Sequence, residues 1–492
     1  MLYQLSHCPT DTGGAGTRRL TPFVSRPEGM TETLVLVNQG STIRERDRRP
    51  PTEQEWETEH VTEQSSHRPL SALSAEELDA FAATQREAYE QVRTKGLSLD
   101  VTRGKPSAAQ LDLADGMLGL PSTTKDRSGT DVRNYGGLAG LVEIREIFAE
   151  LLGVDLDQIV AGNNSSLTLM REVLVDLLLF GGIDSPRPWK DEDKVTFICP
   201  VPGYDRHFGL LAELGIEMVT VPMREDGPDV EAVAALAKDD PSVKGMWLVP
   251  TYANPTGATT TQEVAAALTS MPTAAPDFKI FWDNAYAVHH LTEDETKSAD
   301  VLSLASAAGN PHRAIMFAST SKISYAGAGV AFLATSVEQV TWYLDHLGMG
   351  SIGPDKVNHL RHAEFFQDAG GVRAHMRKHA EIIAPKFAEL DRVLTERLAG
   401  YEVATWNSPT GGYFVNLDVM PGTASRVVAL AKEVGLSLTP AGASFPHGQD
   451  PQDENIRLAP TMPPLAEVTE AMEVVATCVL LAAAEKLQDQ GA

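Results

Sequence analysis

Short apolar runs alternate with amphipathic segments along most of the chain after Gly96. Six runs have the length and composition of buried strands, and they span residues 195–199, 216–221, 246–249, 279–282, 314–318 and 330–334. Segments whose apolar residues recur with helical spacing, such as 167–180 and 264–271, fall between some of them. The alternation predicts the α/β class, with a large, mainly parallel sheet covered by helices on both faces.

Both ends of this pattern are helical. Ser74 and Glu77 form a capping box, and the apolar residues that follow fall on one face of the helix that it opens. Beyond about residue 348 the spacing is again mostly helical, with the longest segment at 372–398. A strand pair around 409–419 and a final helix complete the chain.

These segments predict a large domain and a smaller domain built from both chain ends. Residues 1–70 are rich in Thr, Gly, Pro, Arg and Glu, and we predict a disordered leader there. Residues 71–130 form an N-terminal arm and part of the small domain, residues 131–345 form the large domain, and residues 346–492 complete the small domain.

Charge and cysteine content narrow the possible functions. The 492 residues include 41 Lys and Arg against 67 Asp and Glu, a formal net charge of −26 at pH 7. This balance argues against nucleic-acid binding, which needs cations to displace counterions from phosphates. Cys8, Cys199 and Cys478 are too scattered for a disulfide framework or a metal motif. No apolar run is long enough to span a membrane and no signal-peptide pattern occurs, so a cytoplasmic protein is predicted.

One lysine has unusual neighbours in the sequence. Lys322 follows an apolar strand, lies among small hydroxyl residues and precedes a Gly/Ala-rich turn. Burial disfavours the ammonium form of a lysine, as a Schiff-base nucleophile requires. Ser319 and Lys322 also match the S-x-x-K pattern of acyl-enzyme serines, but the S-D-N and K-T-G partners of that pattern do not follow. The Schiff-base interpretation is therefore favoured.

Polar residues follow other predicted strands. Asp283 ends the run 279–282, and Tyr286 comes three residues later. A buried carboxylate needs a cationic partner, and a protonated pyridine nitrogen would be one. Asn254 lies in a turn after another strand, and residues 162–166 open a helix whose free N–H groups favour an anion. Because open α/β sheets bind ligands at the carboxyl ends of their strands, we expect a shared site.

Six further segments complete a recognisable set: LDVTRGKP at 99–106, RNYGGLAG at 133–140, CPVPGYDRHF at 199–208, WDNAYAVH at 282–289, PTGGYF at 409–414 and NIRLAP at 455–460. With these motifs in this order, the chain from about Leu73 to the last helix resembles the class I aminotransferases of pyridoxal-phosphate fold type I. It is most similar to a divergent bacterial subgroup of aspartate aminotransferases.

The resemblance implies a role for each matching residue. Lys322 would form the Schiff base with pyridoxal 5′-phosphate and shuttle the substrate Cα proton, and Asp283 would keep the pyridine nitrogen protonated. Tyr286 and Asn254 would hydrogen-bond the cofactor's phenolic oxygen, and Arg457 would bind the substrate α-carboxylate. The remaining implied residues are Asn163, Asn164, Ser165 and Ser319 at the phosphate, Tyr204 stacked on the ring, Tyr135 at the phosphate of the neighbouring subunit, and Gly104 in the substrate pocket.

Two features of the family pattern have no obvious counterpart. The family places a phosphate-binding arginine about eight residues after the lysine, but residues 326–330 contain none. Hydroxyl and backbone donors, or a basic residue from elsewhere, would then hold the phosphate. A dicarboxylate substrate also needs a second cation near the pocket mouth, for which Arg103, Lys105 and Arg206 are the candidates.

Paired histidines do not indicate a metal site. His289 and His290 are adjacent, and His375 and His379 have helical spacing, but neither pair has a third ligand nearby in the sequence. We predict that the second pair lies on a charged, solvated helix, and no metal is expected.

The resemblance implies a cytoplasmic homodimer with shared active sites that converts L-aspartate and 2-oxoglutarate to oxaloacetate and L-glutamate by a ping-pong mechanism. Its partners would be amino acids and 2-oxo acids, with no nucleic acid and no membrane. Alternatives on the same fold are an aromatic or kynurenine aminotransferase and an aspartate β-decarboxylase. A further alternative is a non-catalytic regulator that binds the cofactor, but the first 70 residues lack the helical pattern of its usual DNA-binding domain.

Overall fold

A computed structural model of the protein describes residues 67–491. The predicted disordered leader, except for its last four residues, and Cys8 lie outside this range. The helices are α1 Ala75–Thr94, α2 Ala108–Asp112, α3 Val142–Leu152, α4 Ser166–Phe180, α5 Asp205–Glu213, α6 Val230–Ala237, α7 Gln262–Ser270, α8 Val301–Ala307, α9 Val337–Gly350, α10 Lys356–Phe366, α11 Ala369–Leu398, α12 Ala424–Glu433 and α13 Leu465–Gly491. The strands are β1 Leu99–Asp100, β2 Ile159–Ala161, β3 Thr196–Val201, β4 Glu217–Arg224, β5 Gly227–Pro228, β6 Val243–Leu248, β7 Lys279–Asp283, β8 Ala314–Ser319, β9 Ala331–Ala334, β10 Ala404–Trp406, β11 Val415–Val419, β12 Leu436–Ser437 and β13 Asn455–Leu458.

Eight strands form one central sheet, in the order β2-β9-β8-β7-β6-β3-β4-β5. The five strands from β8 to β4 in this order run parallel, which confirms the predicted mainly parallel sheet. Strand β9 runs antiparallel to β8 and to β2. Only a short connection without a helix separates β8 from β9, and a parallel return needs a longer crossover.

Both faces of this sheet are covered. Along β7, Ile280 and Trp282 belong to the apolar core on one face, and Phe281 belongs to the core on the other face. This alternation follows from the two-residue period of a strand. Each of these side chains is fully buried, so the prediction of helices on both faces is confirmed.

A second apolar core joins the two ends of the described chain. Helix α1 begins at the predicted capping box of Ser74 and Glu77, and its Tyr89 packs in the same core as Leu480 of α13. Strand β1 pairs in parallel with β12, and β10, β11 and β13 form an antiparallel sheet beside them. The domain boundaries given above stay a prediction.

The predicted solvated position of one histidine pair is wrong. His375 and His379 are 6% and 0% exposed, because they lie on the same stripe of α11 as the buried Val372, Met376 and Ile383. Hydrogen bonds to Gln110 and to a backbone carbonyl satisfy the buried imidazoles. Within residues 67–491, no group of three or more His, Cys, Asp or Glu is placed to hold a metal ion.

The long helix α13 is buried along most of its length. Among the helices of the described chain, neither α13 nor any other combines the length and the hydropathy that crossing a bilayer requires.

Candidate active site

A cavity of about 580 Å³ opens at the carboxyl ends of the parallel strands. One wall carries Asp283 at the end of β7 and Ser319 at the end of β8, and these strands pair in register. Thr439 and Arg457, from the C-terminal part of the chain, also line the cavity. The site therefore combines residues at the ends of the sheet strands with residues from the C-terminal part of the chain.

Most of the predicted site residues meet in this cavity. Those that line it are Gly104, Ser165, Tyr204, Asn254, Asp283, Tyr286, Ser319, Lys322 and Arg457. Ser166 and Ser321 line it as well, and they bring two further hydroxyl groups to the region predicted to bind phosphate. The three basic candidates for the distal carboxylate, Arg103, Lys105 and Arg206, also lie on its wall.

Asn163 and Asn164 do not line this cavity. They border a neighbouring cleft of about 470 Å³, next to the C-terminal end of α9. The Asn163 Oδ1 atom accepts a hydrogen bond from the Asp355 N–H at 3.0 Å, and the Asn164 Nδ2 atom donates to the Ala326 carbonyl at 3.2 Å. Their side chains are engaged away from the cavity, and Ser165 is the member of this loop that reaches it.

Lys322 lies along the cavity wall and is half-buried. Its Nζ atom is 4.9 Å from the centroid of the Tyr286 ring. Burial lowers the pKa of the Lys322 ammonium below its usual value, although the nearby Asp283 carboxylate acts in the opposite direction. The uncharged, nucleophilic amine is therefore more accessible here than on a surface lysine.

One carboxylate oxygen of Asp283 is hydrogen-bonded, and the other has no partner among the described residues. Its Oδ2 atom is 3.0 Å from Nε2 of His207, whose ring stacks on Trp247 with centroids 4.2 Å apart. Its Oδ1 atom is buried and has no hydrogen-bond partner among the described residues. A buried acceptor without a partner is costly, so this oxygen fits a cationic N–H group of a bound ligand.

Two tyrosines on the wall keep their protons at neutral pH. Burial, with the nearby Asp283 as a smaller cause, raises the pKa of Tyr204 to about 12. Burial also raises the pKa of Tyr286 well above its usual value, and the neighbouring Tyr204 and Asp283 add to this effect. Both hydroxyl groups can therefore donate hydrogen bonds into the cavity.

Arg457 is held in a fixed orientation at the cavity wall. Its side chain projects from β13, and the residue is 8% exposed. Its Nη1 atom donates to Asp205 Oδ1 at 2.9 Å and approaches Asn254 Oδ1 at 3.4 Å, while its guanidinium lies 5.1 Å from the Phe414 ring centroid. The aromatic face and the two oxygens orient the guanidinium in a partly desolvated position.

Gly104 is required by the close approach of Phe414. A Cβ atom added at Gly104 would lie 2.5 Å from the Phe414 ring, well inside van der Waals contact. The same ring packs against the guanidinium of Arg457, so a larger residue at Gly104 would displace the aromatic ring that contacts this arginine.

The charged residues that line the cavity favour an anionic ligand. They are the cations Arg103, Lys105, Arg206 and Arg457 and the anions Asp205 and Asp283, besides Lys322 with its lowered pKa. This excess of positive charge occurs in a protein whose formal net charge is −26. The cavity therefore attracts anions against the field of the acidic surface.

Tyr135 does not line this cavity and is exposed to solvent. It is 81% exposed, yet Lys356 Nζ donates to the carbonyl oxygens of the residues on both sides of it, at 2.8 and 2.6 Å. The loop is thus fixed while the aromatic ring projects outwards.

Sequence reasoning missed two residues that matter for this geometry. His207 holds Asp283, and Asp205 pairs with Arg457, but neither was given a role. Both lie in the CPVPGYDRHF motif directly after Tyr204, and the three-residue helical spacing between Tyr204 and His207 could have indicated a shared face.

This combination of sheet and site defines the fold-type I aminotransferases. The chain belongs to one of their families, because the family model described as aspartate amino-transferase matches residues 73–491. It is therefore an aminotransferase.

Similar proteins support the same assignment. An aspartate aminotransferase of Corynebacterium glutamicum is 55% identical over 418 residues, which cover 85% of this chain and 96% of the relative. The crystal structure of an aspartate transaminase from that species has 54% identity and a TM-score of 0.84, covering 86% of this chain and 100% of the other. The structure of a Pyrococcus horikoshii kynurenine aminotransferase, with 17% identity and a TM-score of 0.64 over 80% of this chain and 93% of the other, shares the fold alone.

Proposed function

We propose that this aminotransferase uses pyridoxal 5′-phosphate to exchange the amino group between L-aspartate and 2-oxoglutarate by a ping-pong mechanism. The observation that carries the proposal is the buried Oδ1 atom of Asp283, which has no partner among the described residues and lies on the wall that also carries Lys322. A protonated pyridine nitrogen would supply the missing donor. When bound, the cofactor supplies the electron sink for bond breaking at the substrate Cα.

Residues of the chain would transfer the proton, bind the substrate and hold the cofactor. Lys322, with its lowered pKa, would bind the cofactor aldehyde as the free amine with loss of water, and once the substrate amine had displaced it, it would carry the proton to and from the substrate Cα. Arg457 would bind the substrate α-carboxylate, and Asn254 would fix the orientation of that arginine. Tyr286 would donate a hydrogen bond to the cofactor's phenolic oxygen, and Tyr204 would stack on the ring.

The cofactor phosphate would be held without an arginine from the turn after Lys322. Four hydroxyl groups line this region, from Ser165, Ser166, Ser319 and Ser321. Ser165 and Ser166 stand at the N-terminus of α4, where free backbone N–H groups and the helix dipole favour a phosphate. Hydroxyl and backbone donors would therefore supply the hydrogen bonds that the missing arginine would otherwise donate.

Aspartate is the preferred donor in this proposal for two reasons. The Corynebacterium glutamicum relative, at 55% identity, is named an aspartate aminotransferase. The cavity also carries three cations besides Arg457, and a substrate with two carboxylates requires at least one of them.

Arg206 is our preferred residue for the distal carboxylate. It follows Asp205 on the first turn of α5, so it lies next to the residue that pairs with Arg457. It is exposed at the cavity wall and forms no ion pair with any described residue. We expect Arg206→Met to lower kcat/KM for aspartate by about 10- to 100-fold, the cost of one charge-assisted contact, and to leave kcat/KM for alanine unchanged or higher.

The matched controls for this prediction are Arg103→Met and Lys105→Met. Both remove one cation from the same cavity wall, so a general change of potential would affect all three variants alike. A selective loss for aspartate in either control, with Arg206→Met unaffected, would assign the distal carboxylate to that residue instead.

The experiment that tests the reaction is product analysis of steady-state turnover. With aspartate and 2-oxoglutarate, we expect oxaloacetate and glutamate in equal amounts and parallel double-reciprocal plots, the pattern of a ping-pong mechanism. Release of carbon dioxide and alanine would indicate β-decarboxylation, and turnover with kynurenine or phenylalanine but not aspartate would indicate the aromatic alternative.

We also propose that the enzyme is a homodimer with shared active sites. The exposed Tyr135 precedes Gly136, whose N–H donates to the Ile352 carbonyl at 3.2 Å, and Ile352 and Met349, three residues before it, are 60% and 89% exposed. Large apolar side chains in one exposed group are typical of a protein interface. The fixed loop would then present Tyr135 to the phosphate region of the other subunit, and a monomeric mass in light scattering would contradict this.

The cytoplasm remains our proposal for the compartment. Cys199 and Cys478 are buried and unpaired among residues 67–491, as thiols of a reducing compartment are.

A further inference from the structure

Helix α10 carries three buried polar side chains to which the proposed function gives no role. Asn358, His359 and His362 are 7%, 1% and 0% exposed, and none of them lines the cavity. Buried polar groups are costly unless they are paired, so their partners are informative. Outside α10, their contacts concentrate on the loop 162–166 and the turn 319–330, the two segments that bring four serine hydroxyl groups to the cavity.

His359 holds the start of the loop 162–166. Burial lowers the pKa of His359 to about 4, so its ring is neutral at physiological pH. The Nε2 atom lies 2.7 Å from the Gly162 carbonyl oxygen, and because a carbonyl only accepts, this nitrogen carries the proton. The Nδ1 atom then accepts from the Leu141 N–H at 3.4 Å. The Gly162 N–H donates to the Ala331 carbonyl at 2.8 Å, so both backbone polar groups of Gly162 are fixed three residues before Ser165.

His362 holds the turn 319–330 through two hydroxyl groups. Burial lowers its pKa to about 4 as well, and its Nδ1 atom donates to the Asn358 carbonyl at 2.8 Å, so Nε2 of the neutral ring accepts. Ser324 Oγ lies 2.9 Å and Thr320 Oγ1 lies 3.3 Å from this Nε2 atom. The two oxygens are 3.0 Å apart, so one hydroxyl donates to the ring and the other donates to the first.

Asn358 holds the far end of the same turn. Its Nδ2 atom donates to the Ala328 and Gly329 carbonyls at 3.0 and 2.9 Å, which uses both of its protons, and its Oδ1 atom accepts from Arg361 at 3.2 Å. This is the stretch in which the sequence lacks the arginine of the family pattern. A Cβ atom at Gly329 would lie 2.8 Å from Thr320 Oγ1, so a side chain there would disturb the turn.

The anchored residue of this turn lies between two residues of the cavity wall. Ser319 and Ser321 line the cavity, whereas Thr320 is 0% exposed and contacts His362 instead. The Thr320 Oγ1 atom also accepts the N–H of Val330 at 3.0 Å. The backbone between the two serine hydroxyl groups is therefore held from the side of α10.

We propose that Asn358, His359 and His362 are positioning residues that hold the loop 162–166 and the turn 319–330 so that the serine hydroxyl groups of both segments reach one phosphate group. The inference rests on the proposed function, because only there do these hydroxyl groups bind the cofactor phosphate. Neutral donors gain less from an anion than an arginine does, so the affinity depends on donors that are in place before binding.

Pairs of variants that differ in one hydrogen bond test this proposal. His362→Met removes the acceptor of the hydroxyl proton, whereas His362→Gln offers an amide oxygen in its place. His359→Met removes the donor to Gly162, and His359→Gln keeps an N–H donor. The matched control is Gln339→Met in α9, which removes a polar side chain that is 3% exposed and donates to Thr335 but to neither segment.

The first measurement is the affinity of the cofactor-free enzyme for pyridoxamine 5′-phosphate, which carries the phosphate but has no aldehyde for Lys322 to bind. In calorimetric titrations we expect Kd to rise about 10-fold in His359→Met and in His362→Met, the equivalent of about one hydrogen bond. The two substitutions to Gln and the control should stay within about threefold of the wild type. Inorganic phosphate, titrated as a competitor, should show the same losses, because the affected donors bind the phosphate.

The second measurement separates the two histidines. His362 holds the turn that carries Lys322, but His359 holds only the loop 162–166. At saturating cofactor we therefore expect kcat with aspartate to fall about 10-fold or more in His362→Met, since a small displacement of a reacting group lowers the rate strongly. In His359→Met, kcat should stay within about threefold of the wild type. A purely structural role would lower the thermal stability of both variants without this difference.

Three results would overturn the positioning role. They are a Kd for pyridoxamine 5′-phosphate in His359→Met and His362→Met equal to that of Gln339→Met, the same loss in the substitutions to Gln, and an unchanged affinity for inorganic phosphate. If the substitutions to Met do not fold, Thr320→Val and Thr320→Ser decide, because the first removes the hydroxyl group and the second keeps it. A wild type that binds no pyridoxamine 5′-phosphate would contradict the proposed function itself.

Discussion

Lys322→Ala is expected to lower kcat by about five orders of magnitude or more, the largest effect of any single substitution in this protein. The change removes both the attacking amine and the group that would carry the Cα proton, and no other lysine of the described chain except Lys105 lines the cavity. Single-turnover rates with aspartate measure the loss. The variant should also release added cofactor on desalting, whereas the wild type retains it.

Lys297→Ala is a suitable control, because Lys297 is exposed and lies outside the cavity. Its kcat should stay within about twofold of the wild type, as is usual for surface substitutions. A Lys322→Ala protein that keeps even one per cent of the wild-type rate would show that another group carries the chemistry.

Asp283→Asn should have the second-largest effect, a fall in kcat of about 10³-fold. The substitution keeps the size of the side chain and its place beside His207, but it removes the only acidic group at the end of β7. The buried Oδ1 position would then lack the negative charge that pairs with a cationic ring nitrogen. Rates of the half-reaction with aspartate, at saturating cofactor, measure the effect separately from cofactor affinity.

The other carboxylate of the cavity provides the comparison for Asp283. Asp205→Asn removes the same charge from the same cavity, but Asp205 accepts a hydrogen bond at 2.9 Å from Arg457, the residue proposed to bind the substrate α-carboxylate. We therefore expect it to change KM for the amino donor more than kcat. If Asp205→Asn lowered kcat as strongly as Asp283→Asn, only the total charge of the cavity would matter, and the specific role of Asp283 would be wrong.

Open α/β sheets bind ligands at the carboxyl ends of their strands, and this explains why much of the site could be predicted. Asn254, Asp283 and Lys322 follow three apolar runs of the sequence, and neighbouring parallel strands bring their carboxyl ends to one edge. The resemblance then supplied a role for each residue. A buried strand tolerates few alternatives in length or register, so this part of the sequence determines the geometry closely.

The position of the loop predicted to bind phosphate followed from the sequence, but the sequence could not show which of its side chains face the cavity. Helix α4 begins at Ser166, close to the predicted position, yet Ser165 and Ser166 line the cavity while Asn163 and Asn164 face a different cleft. Which side chains of a loop face a cavity depends on a few backbone torsions, and these have no periodic signal in the sequence.

Pairs of polar residues that are far apart in the sequence could not be predicted, for a different reason. His379 contacts Gln110, which is 269 residues away, and Asp205 contacts Arg457, which is 252 residues away. A histidine on a helix with many charged residues is predicted to be solvated unless its buried partner is known. The partners of His375 and His379 could not be known from the sequence, and the prediction for this pair was wrong. Hydrophobic periodicity locates a core, but it cannot show which polar groups are paired inside it.

The most direct test of the central claim is a half-reaction without oxo acid. The cofactor-loaded enzyme is mixed with L-aspartate, and in parallel with L-phenylalanine and kynurenine, and the oxo acid released per subunit is measured over time. The account predicts one equivalent of oxaloacetate from aspartate, formed much faster than the product of either aromatic donor. Faster release from an aromatic donor, or no oxaloacetate from aspartate, would contradict it.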